Sequence, residues 1–324
     1  AVTRLSGDRI AVANRGTQQI RIYDSAGRHL QDIGRAGDGP GEFRGLAGLW
    51  PLPGDSLLAA DGGSGRVTLF DPEGELVRTV TPEPVEGALE RWAGRPFADG
   101  TLLIEARRVS AERRHSGLWA RGPWAYDRHA ADGPWLNTIA MQPAGMNWSW
   151  NVQGSESYTS APFSWFWPRR ASDGQGLWEG DGGRAEVRYV AADGTLRRIV
   201  RWAEEARVVT TDVEARYRDF RLAAAGSRYR ASTEAMLDGL VFPETMPVYR
   251  SLLVDSEGCL WVERYRPDWE TTARWWVFDP GGRWLGEPAL PRGLTLREVG
   301  SDYLLGIVRD VNDVEHVVRY ALER

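Results

Sequence analysis

The sequence contains no lysine and only one cysteine. All 40 basic residues are arginines, and 45 acidic residues scattered among them leave a net charge of −5. Because the arginines form no basic stripe, the sequence predicts no nucleic-acid partner. The single Cys259 excludes a disulfide framework and a thiolate metal site built from this chain alone.

Long apolar runs are also missing. No stretch reaches the roughly 18 consecutive apolar residues that a membrane-spanning helix needs, so the sequence predicts no membrane span. The chain starts at Ala1 without a visible signal peptide. A mature N-terminus left by processing would explain this start, as would an arbitrary boundary. An apolar content of 42% and a charged content of 26% are those of an ordinary globular protein.

The most informative feature present is a repeated turn. In each copy an aromatic residue lies at the end of a short alternating strand, and an acidic turn closing on glycine follows it. Glycine supplies a positive φ there, while aspartate and proline favour the turn. Clear copies occupy residues 22–27, 69–74, 189–194 and 277–282, and a looser copy occupies 126–133.

Each copy of the turn is preceded by a hairpin, which implies four antiparallel strands per unit. This pattern predicts an all-β fold, a six-bladed β-propeller, formed as a single domain over residues 1–324. The predicted blades cover about residues 1–33, 46–80, 88–141, 162–202, 249–289 and 294–322.

Two of these units resemble a known repeat. Residues 13–24 and 60–71, each running from a polar turn to an aromatic-aspartate pair, look like NHL repeats, and the glycine-rich linker 34–43 resembles the loop between such blades. The chain therefore resembles the NHL-repeat-like six-bladed β-propellers of bacterial exported proteins. The resemblance implies a binding function and a secreted, periplasmic or cell-envelope location.

Two segments interrupt the repeat. Residues 212–225 predict a helix with Thr211 or Asp212 as its N-cap and Gly226 at the C-terminal cap position, and a shorter helix is predicted at 233–237. They give a helical insertion, about residues 203–248, between blades four and five. The second segment, residues 145–167, is rich in Trp, Ser and Asn and is predicted to be a loop.

Propeller geometry places both of these segments at one end of the ring, where loops are expected to carry function. The sequence favours a non-catalytic binding or assembly module that presents a Trp-rich surface to a protein or glycan partner and needs no cofactor. Aromatic side chains there could stack on sugar rings or form a protein hot spot, or could instead pack the helical insertion onto the ring. The candidate binding residues are Trp148, Trp150, Trp165, Trp167, Tyr217 and Phe220.

An enzymatic alternative is a metal-dependent hydrolase or lactonase centred on the channel of the ring. Asn14, Asp61 and Asp181 end the second strand of three blades, and their oxygen atoms would suit calcium or another divalent cation. The competing interpretation is that each side chain ties down its own turn through hydrogen bonds to the backbone. No other catalytic motif is present.

The last predicted blade contains three strands, about residues 294–299, 303–309 and 315–321, and no fourth. An unpaired outer strand exposes backbone donors and acceptors that invite another strand. The missing strand is expected from a segment upstream of Ala1 or from a second subunit by strand addition, which would make the chain a homo-oligomer.

Overall fold

A computed structural model of the chain describes residues 1–109, 117–152, 154–164 and 169–323. Just under half of these residues lie in strands, and all but one short pair of these strands are antiparallel. Within each main sheet the order of the strands in space is their order along the chain, which is the arrangement of a propeller blade. The predicted all-β fold is therefore confirmed.

The first quarter of the described chain forms two four-stranded sheets joined by a short parallel pair. Sheet one consists of β1 (Val2–Arg4), β2 (Ile10–Asn14), β3 (Gln19–Tyr23) and β4 (His29–Ile33). The parallel pair is β5 (Arg35–Ala36) and β6 (Glu42–Phe43). Sheet two consists of β7 (Leu46–Pro51), β8 (Leu57–Asp61), β9 (Arg66–Phe70) and β10 (Leu76–Val80).

The middle of the chain forms two further four-stranded sheets and one additional three-stranded sheet. Its strands are β11 (Ala88–Ala93), β12 (Leu102–Arg108), β13 (Gly117–Ala120), β14 (Trp124–His129), β15 (Trp135–Gln142), β16 (Met146–Val152), β17 (Ser155–Ser160), β18 (Arg169–Ser172), β19 (Gly176–Gly180), β20 (Glu186–Ala191) and β21 (Leu196–Arg201). Strands β11, β12, β14 and β15 form sheet three, and β18 to β21 form sheet four. Strands β13, β16 and β17 pair only with one another among the described residues.

Two helices separate sheet four from the last two sheets. They are α1 (Thr211–Ala224) and α2 (Gly226–Leu237). Sheet five consists of β22 (Tyr249–Val254), β23 (Leu260–Arg264), β24 (Trp275–Phe278) and β25 (Trp284–Gly286). Sheet six consists of β26 (Thr295–Val299), β27 (Tyr303–Arg309) and β28 (Glu315–Ala321). In the described part of the chain β28 pairs with β27 alone.

The apolar core lies between successive sheets. Strand β8 is buried along its whole length, because both of its faces are covered, whereas the outer strand β4 is exposed except at Ile33. Ile20 of sheet one and Leu57 of sheet two belong to one buried cluster. Burial of each such side chain contributes about 1.5–3 kcal/mol, so face-to-face sheet packing supplies the main stabilisation.

The repeated turn found in the sequence connects the third and fourth strands of its sheet. At the first copy, the Asp24 carboxylate accepts hydrogen bonds from the backbone N–H groups of Ala26 and Arg28, and Gly27 has a φ of 80°. Asp71 and Asp279 make the equivalent bonds in their own turns. The turn recurs because a carboxylate and a glycine together satisfy a tight hairpin.

The prediction of a loop over residues 145–167 was wrong. Strands β16 and β17 occupy most of this segment and pair with β13. The alternation of Trp148 and Trp150 with Asn147 and Ser149 is the period of two that a strand requires. Its high content of polar residues concealed this period.

The bounds of the first helix were predicted to within one residue, but its N-cap was not. The second helix was predicted too short, at 233–237. Thr210, rather than Thr211 or Asp212, is the N-cap, and its hydroxyl accepts a hydrogen bond from the Val213 N–H at 3.4 Å. Gly226 has the positive φ expected after a helix end, at 60°, but the chain resumes a helix immediately. No helix of the described residues is long and apolar enough to cross a membrane.

The additional sheet and the two helices pack together, and we refer to β13, β16, β17, α1 and α2 as the cap. Its shared core includes Trp148 of β16, Tyr217 of α1 and Met236 of α2. The cap is built from the connections that follow β12, β15 and β21, and these connections lie at the same end of their sheets.

Candidate functional site

A cavity of about 320 Å³ lies between the cap and sheets three and four. The cap side contributes the segments around Met146, Phe163 and Met246, and the sheets contribute Trp124 and Arg169. The full lining is Leu118, Trp124, Gln142, Pro143, Ala144, Gly145, Met146, Ala161, Pro162, Phe163, Ser164, Arg169, Asp181, Gly183, Val241, Phe242, Pro243, Thr245, Met246 and Pro247. The cavity lies at the end of the sheets where the sequence predicted function.

Phe163 lines the cavity and lies at the centre of an aromatic cluster. Its ring centroid lies 5.6 Å from that of Tyr217, 6.1 Å from that of Phe242 and 6.3 Å from that of Trp269. Its φ is 54°, a left-handed conformation that is unfavourable for a bulky side chain. Dense aromatic packing holds this strained residue in place, as is common where a binding surface is built.

The predicted binding aromatics mostly lie inside the cap rather than on its surface. Trp148 is 8% exposed and Tyr217 is 9% exposed. Trp150 is half-buried against the same core, and Phe220 is half-buried with its ring 5.8 Å from that of Trp269. These positions favour the packing alternative for the four residues. Trp165 and Trp167 lie outside the described residues.

Arg169 is the first residue of β18 and is 5% exposed. Its Nη1 donates a hydrogen bond to the main-chain carbonyl oxygen of Asp181, and its guanidinium carbon lies 5.9 Å from the centroid of the Tyr249 ring. Burial lowers the pKa of Arg169 to about 10, so the side chain stays protonated at neutral pH. The wall of the cavity therefore carries a positive charge shielded from water.

Two other polar side chains in the lining are already engaged within the protein. Gln142 accepts a hydrogen bond from the Tyr126 hydroxyl and donates one to the main-chain oxygen of Gly180. The hydroxyl of Ser164 accepts from the backbone N–H of Met146 at 2.7 Å. Hydrogen bonding by these groups is largely satisfied, so they shape the cavity more than they offer contacts to a ligand.

The three candidate metal ligands hold turns. Asn14 accepts hydrogen bonds from the backbone N–H groups of Gly16 and Thr17. Asp61 is 2% exposed, and its carboxylate accepts from the backbone N–H groups of Arg44, Gly45 and Gly63 and from the Ser64 hydroxyl. All four bonds measure 2.7–2.9 Å.

The third candidate ligand, Asp181, is exposed and accepts from the backbone N–H of Gly183 at 2.8 Å. Among the described residues, no group of three His, Cys, Asp or Glu side chains is placed to hold a metal ion. The turn-forming interpretation accounts for all three positions.

Sequence reasoning missed Arg169, Phe163 and Met246 as residues of a site. An available signal was the tandem Arg169-Arg170 at the start of a predicted inner strand, because charged residues at inner positions of a sheet are rarely without function or partner. The Arg170 guanidinium does pair with the buried Glu105 carboxylate of sheet three. Arg169 donates to the Asp181 carbonyl oxygen and lines the cavity.

No family model matches the chain, and no curated protein matches it. Solved structures do resemble it. A candidate exported protein from Bacteroides fragilis NCTC 9343 has a TM-score of 0.52 at 12% identity, over 95% of this chain and 78% of that one. A member of the DUF4221 family from Bacteroides vulgatus ATCC 8482 has a TM-score of 0.51 at 11% identity, over 99% and 90% of the two chains.

A gluconolactonase from Xanthomonas campestris is more distant. Its TM-score is 0.45 at 14% identity, over 93% of this chain and 79% of that one. The first two likenesses bear on the fold alone at such low identity, and the third supports no inference. The observed order of the strands in each sheet is that of a β-propeller, as predicted, and the likenesses over nearly the whole chain support this fold.

Proposed function

We propose that the chain is an exported, non-catalytic binding module whose capped end takes up an apolar group of its partner. The observation that carries this proposal is the cavity between the cap and sheets three and four. Rigid sheets that position an apolar cavity with few convergent polar groups are typical of binding sites. The proposed function needs no metal or other cofactor.

The proposal includes a finer description of the fold. Sheets one to six are the six blades of a single NHL-like propeller domain spanning residues 1–324, and the helices are an insertion between blades four and five. Contacts between the first and last sheets support closure of the ring. The Thr3 hydroxyl donates to the Glu298 carboxylate at 2.5 Å, and Arg4 Nη1 donates to Asp302 at 3.1 Å.

Binding is favoured over metal-dependent hydrolysis because the best-buried candidate metal ligand is already hydrogen-bonded within the protein. The Asp61 carboxylate, the best-buried of the three candidate ligands, already accepts four hydrogen bonds, two from its own turn and two from the Arg44–Gly45 backbone. A calcium-dependent lactonase would need that carboxylate to leave its turn, at a cost of several hydrogen bonds. In the part of the chain that the structure describes, no contact favours this alternative.

A protein or small apolar partner is favoured over a glycan. Sugar rings expose many hydroxyl groups, each of which needs a hydrogen-bonding partner when buried. In the lining described above, Gln142 and Ser164 are already bonded within the chain, and Phe163, Phe242 and Met246 contribute apolar surface. The site therefore suits an apolar group better than a polyhydroxylated one.

Export and self-association complete the proposal. Export is supported by the resemblance to exported propellers and by the shared fold with the candidate exported protein of B. fragilis. Self-association would use β28, whose outer edge has no pairing strand among the described residues. A strand from a second copy would supply the fourth strand of blade six.

A neutral fluorescent probe, N-phenyl-1-naphthylamine, tests the proposed function. We expect its fluorescence to rise and to saturate at one probe per chain. The variant Ala144→Trp, which fills the cavity from a half-buried lining position, should abolish this signal. The control Ala26→Trp places the same side chain in the exposed turn between β3 and β4 of sheet one, away from the cavity lining. It should leave binding unchanged. Equal binding by both variants would overturn the proposal.

A further inference from the structure

The electrostatic character of the cavity is set by one buried charge. Among the described lining residues, the charged side chains are Arg169 and Asp181. Arg169 is 5% exposed, whereas Asp181 is exposed at the rim. A charge held away from water acts on a ligand more strongly than a charge screened by solvent. A ligand in the cavity therefore meets a net attraction for negative charge.

The Arg169 guanidinium is held rigidly at its position. Its strand residue pairs with Gly180 of β19, its Nη1 donates to the Asp181 carbonyl oxygen, and it lies near the Tyr249 ring. Gly182 has a φ of 75°, and a Cβ there would overlap the guanidinium carbon. The turn thus leaves space for the guanidinium only because residue 182 has no side chain. A fixed planar guanidinium is suited to the paired oxygens of a carboxylate.

The rest of the cavity limits the size and polarity of its occupant. Its volume of about 320 Å³ lies at the lower end of the range for ligand sites. The apolar lining includes Phe163, Phe242 and Met246. The exposed side chains of Val241 and Pro243 mark the rim through which a ligand would enter.

We propose that this cavity binds a small, mostly apolar carboxylate. Its carboxylate group accepts hydrogen bonds from the Arg169 guanidinium, and its apolar body lies against Phe163, Phe242 and Met246. This inference rests on the proposed function, because it names the ligand class for the same cavity. It makes Arg169 the residue that determines specificity.

A pair of isosteric probes tests the inference on the whole chain. 1-Naphthylacetate and 1-naphthylacetamide share one apolar body and differ in a single charge. By calorimetric titration we expect the wild-type protein to bind the carboxylate at least about tenfold more tightly than the amide. Arg169→Gln should remove that preference and leave the affinity for the amide within about twofold.

Asp181→Asn provides a second variant that does not depend on replacing a buried residue. It removes a negative charge from the rim, so it should tighten carboxylate binding and leave amide binding unchanged. Arg184→Gln is the matched control, because Arg184 is exposed and does not line the cavity. It should behave as the wild type with both probes.

The outcomes separate the two proposals. Binding of both probes with equal affinity overturns the carboxylate assignment and leaves the proposed function standing. A carboxylate preference that survives in a folded Arg169→Gln protein, or that is unaffected by Asp181→Asn, also overturns it. Failure of both probes to bind at millimolar concentration overturns the proposed function as well.

Discussion

The indole Nε1 of Trp148 donates a hydrogen bond to the main-chain carbonyl oxygen of Met236, 2.9 Å away and 88 residues later in the chain. Both side chains are buried in the cap. This bond joins the additional sheet to α2. It thereby fixes β16, whose Met146 lines the cavity, against the helices of the cap.

Trp148 should be the main anchor of the cap. Trp148→Ala is expected to lower the free energy of unfolding by about 3–5 kcal/mol, and Trp148→Phe by about 1–2 kcal/mol, because the phenylalanine keeps apolar contact but loses the hydrogen bond. Urea denaturation followed by circular dichroism measures both values. Trp284→Phe is the control, since Trp284 is 59% exposed, and it should change stability by less than about 0.5 kcal/mol.

Gly182 should be required for the position of Arg169. Gly182→Ala combines an unfavourable positive φ with an overlap between the new Cβ and the guanidinium. Gly54→Ala is the matched control, because Gly54 has nearly the same φ, 77°, and no heavy atom within 4 Å of the site of its Cβ. Gly54→Ala should cost about 1 kcal/mol, and Gly182→Ala should cost clearly more. Thermal unfolding measures the loss of stability in both variants. Equal losses would show that the Arg169 side chain moves aside at no cost.

Asp61 should stabilise the fold in a pH-dependent manner. Burial raises the pKa of this carboxyl, but hydrogen bonds from the Arg44 backbone and the Ser64 hydroxyl outweigh burial and hold the pKa below its ordinary value of 3.8. A depressed pKa in the folded state contributes stability above pH 3.8, and this stability is lost as the pH falls through the folded-state pKa.

The variant Asp61→Asn should therefore be less stable than the wild type by about 1–3 kcal/mol at pH 7, with the gap closing at acidic pH. Unfolding in urea at a series of pH values measures this gap. Asp181→Asn serves as the control, because Asp181 ends the equivalent strand but is exposed. A gap for Asp61→Asn that is independent of pH would contradict the assignment.

Glu179 should have the opposite effect. This side chain is buried, its Oε2 has no hydrogen-bond partner among the described residues, and burial raises its pKa above 4.5 despite Arg188 at 3.0 Å. Ionisation then favours the unfolded state, so stability should fall as the pH rises from 4.5 through the folded-state pKa. The stability of Glu179→Gln should not show this decline. The difference in unfolding free energy between the variant and the wild type should therefore shift in favour of the variant between pH 4 and pH 7. The exposed control Glu156→Gln should follow the wild-type profile.

Strand β28 should mediate self-association. Sedimentation equilibrium is expected to show a concentration-dependent oligomer for the wild type. Val317→Lys, on the exposed strand edge, should weaken it, because a charge on an edge strand opposes pairing. Val311→Lys places the same charge at a 99% exposed position outside the strand and should have no effect. A wild type that remains monomeric at high concentration would rule out this use of the edge.

The parts of the fold that sequence reasoning predicted are those determined by local interactions. The turns at Asp24, Asp71 and Asp279 depend on hydrogen bonds to residues two and four positions away, so each copy shows its full chemistry within six residues. The first helix was equally visible, since apolar spacing and a nearby Thr are local signals.

The candidate site could not be predicted in the same way. The additional sheet depends on pairing between Trp119 and Asn147, and the cavity depends on Arg169 meeting the turn at Asp181 and the ring of Tyr249. The tandem Arg169-Arg170 marks a charged start of an inner strand, but it does not show which arginine lines a cavity, because the surroundings of Arg169 include Tyr249, which is distant along the chain. The sequence shows that Trp148 and Trp150 belong to an unusual Trp-rich segment, but their positions in or against the core of the cap are determined by tertiary packing.

The walls of the cavity come from chain positions as far apart as Leu118 and Pro247. Each four-stranded sheet can form through contacts between strands that are neighbours in the sequence. The cavity forms only after the α1–α2 pair has packed against β16, which lies 88 residues earlier at the Trp148–Met236 bond. Such a long-range contact forms slowly compared with a hairpin. During refolding, the recovery of ligand uptake should therefore lag behind the recovery of the far-ultraviolet signal of the strands.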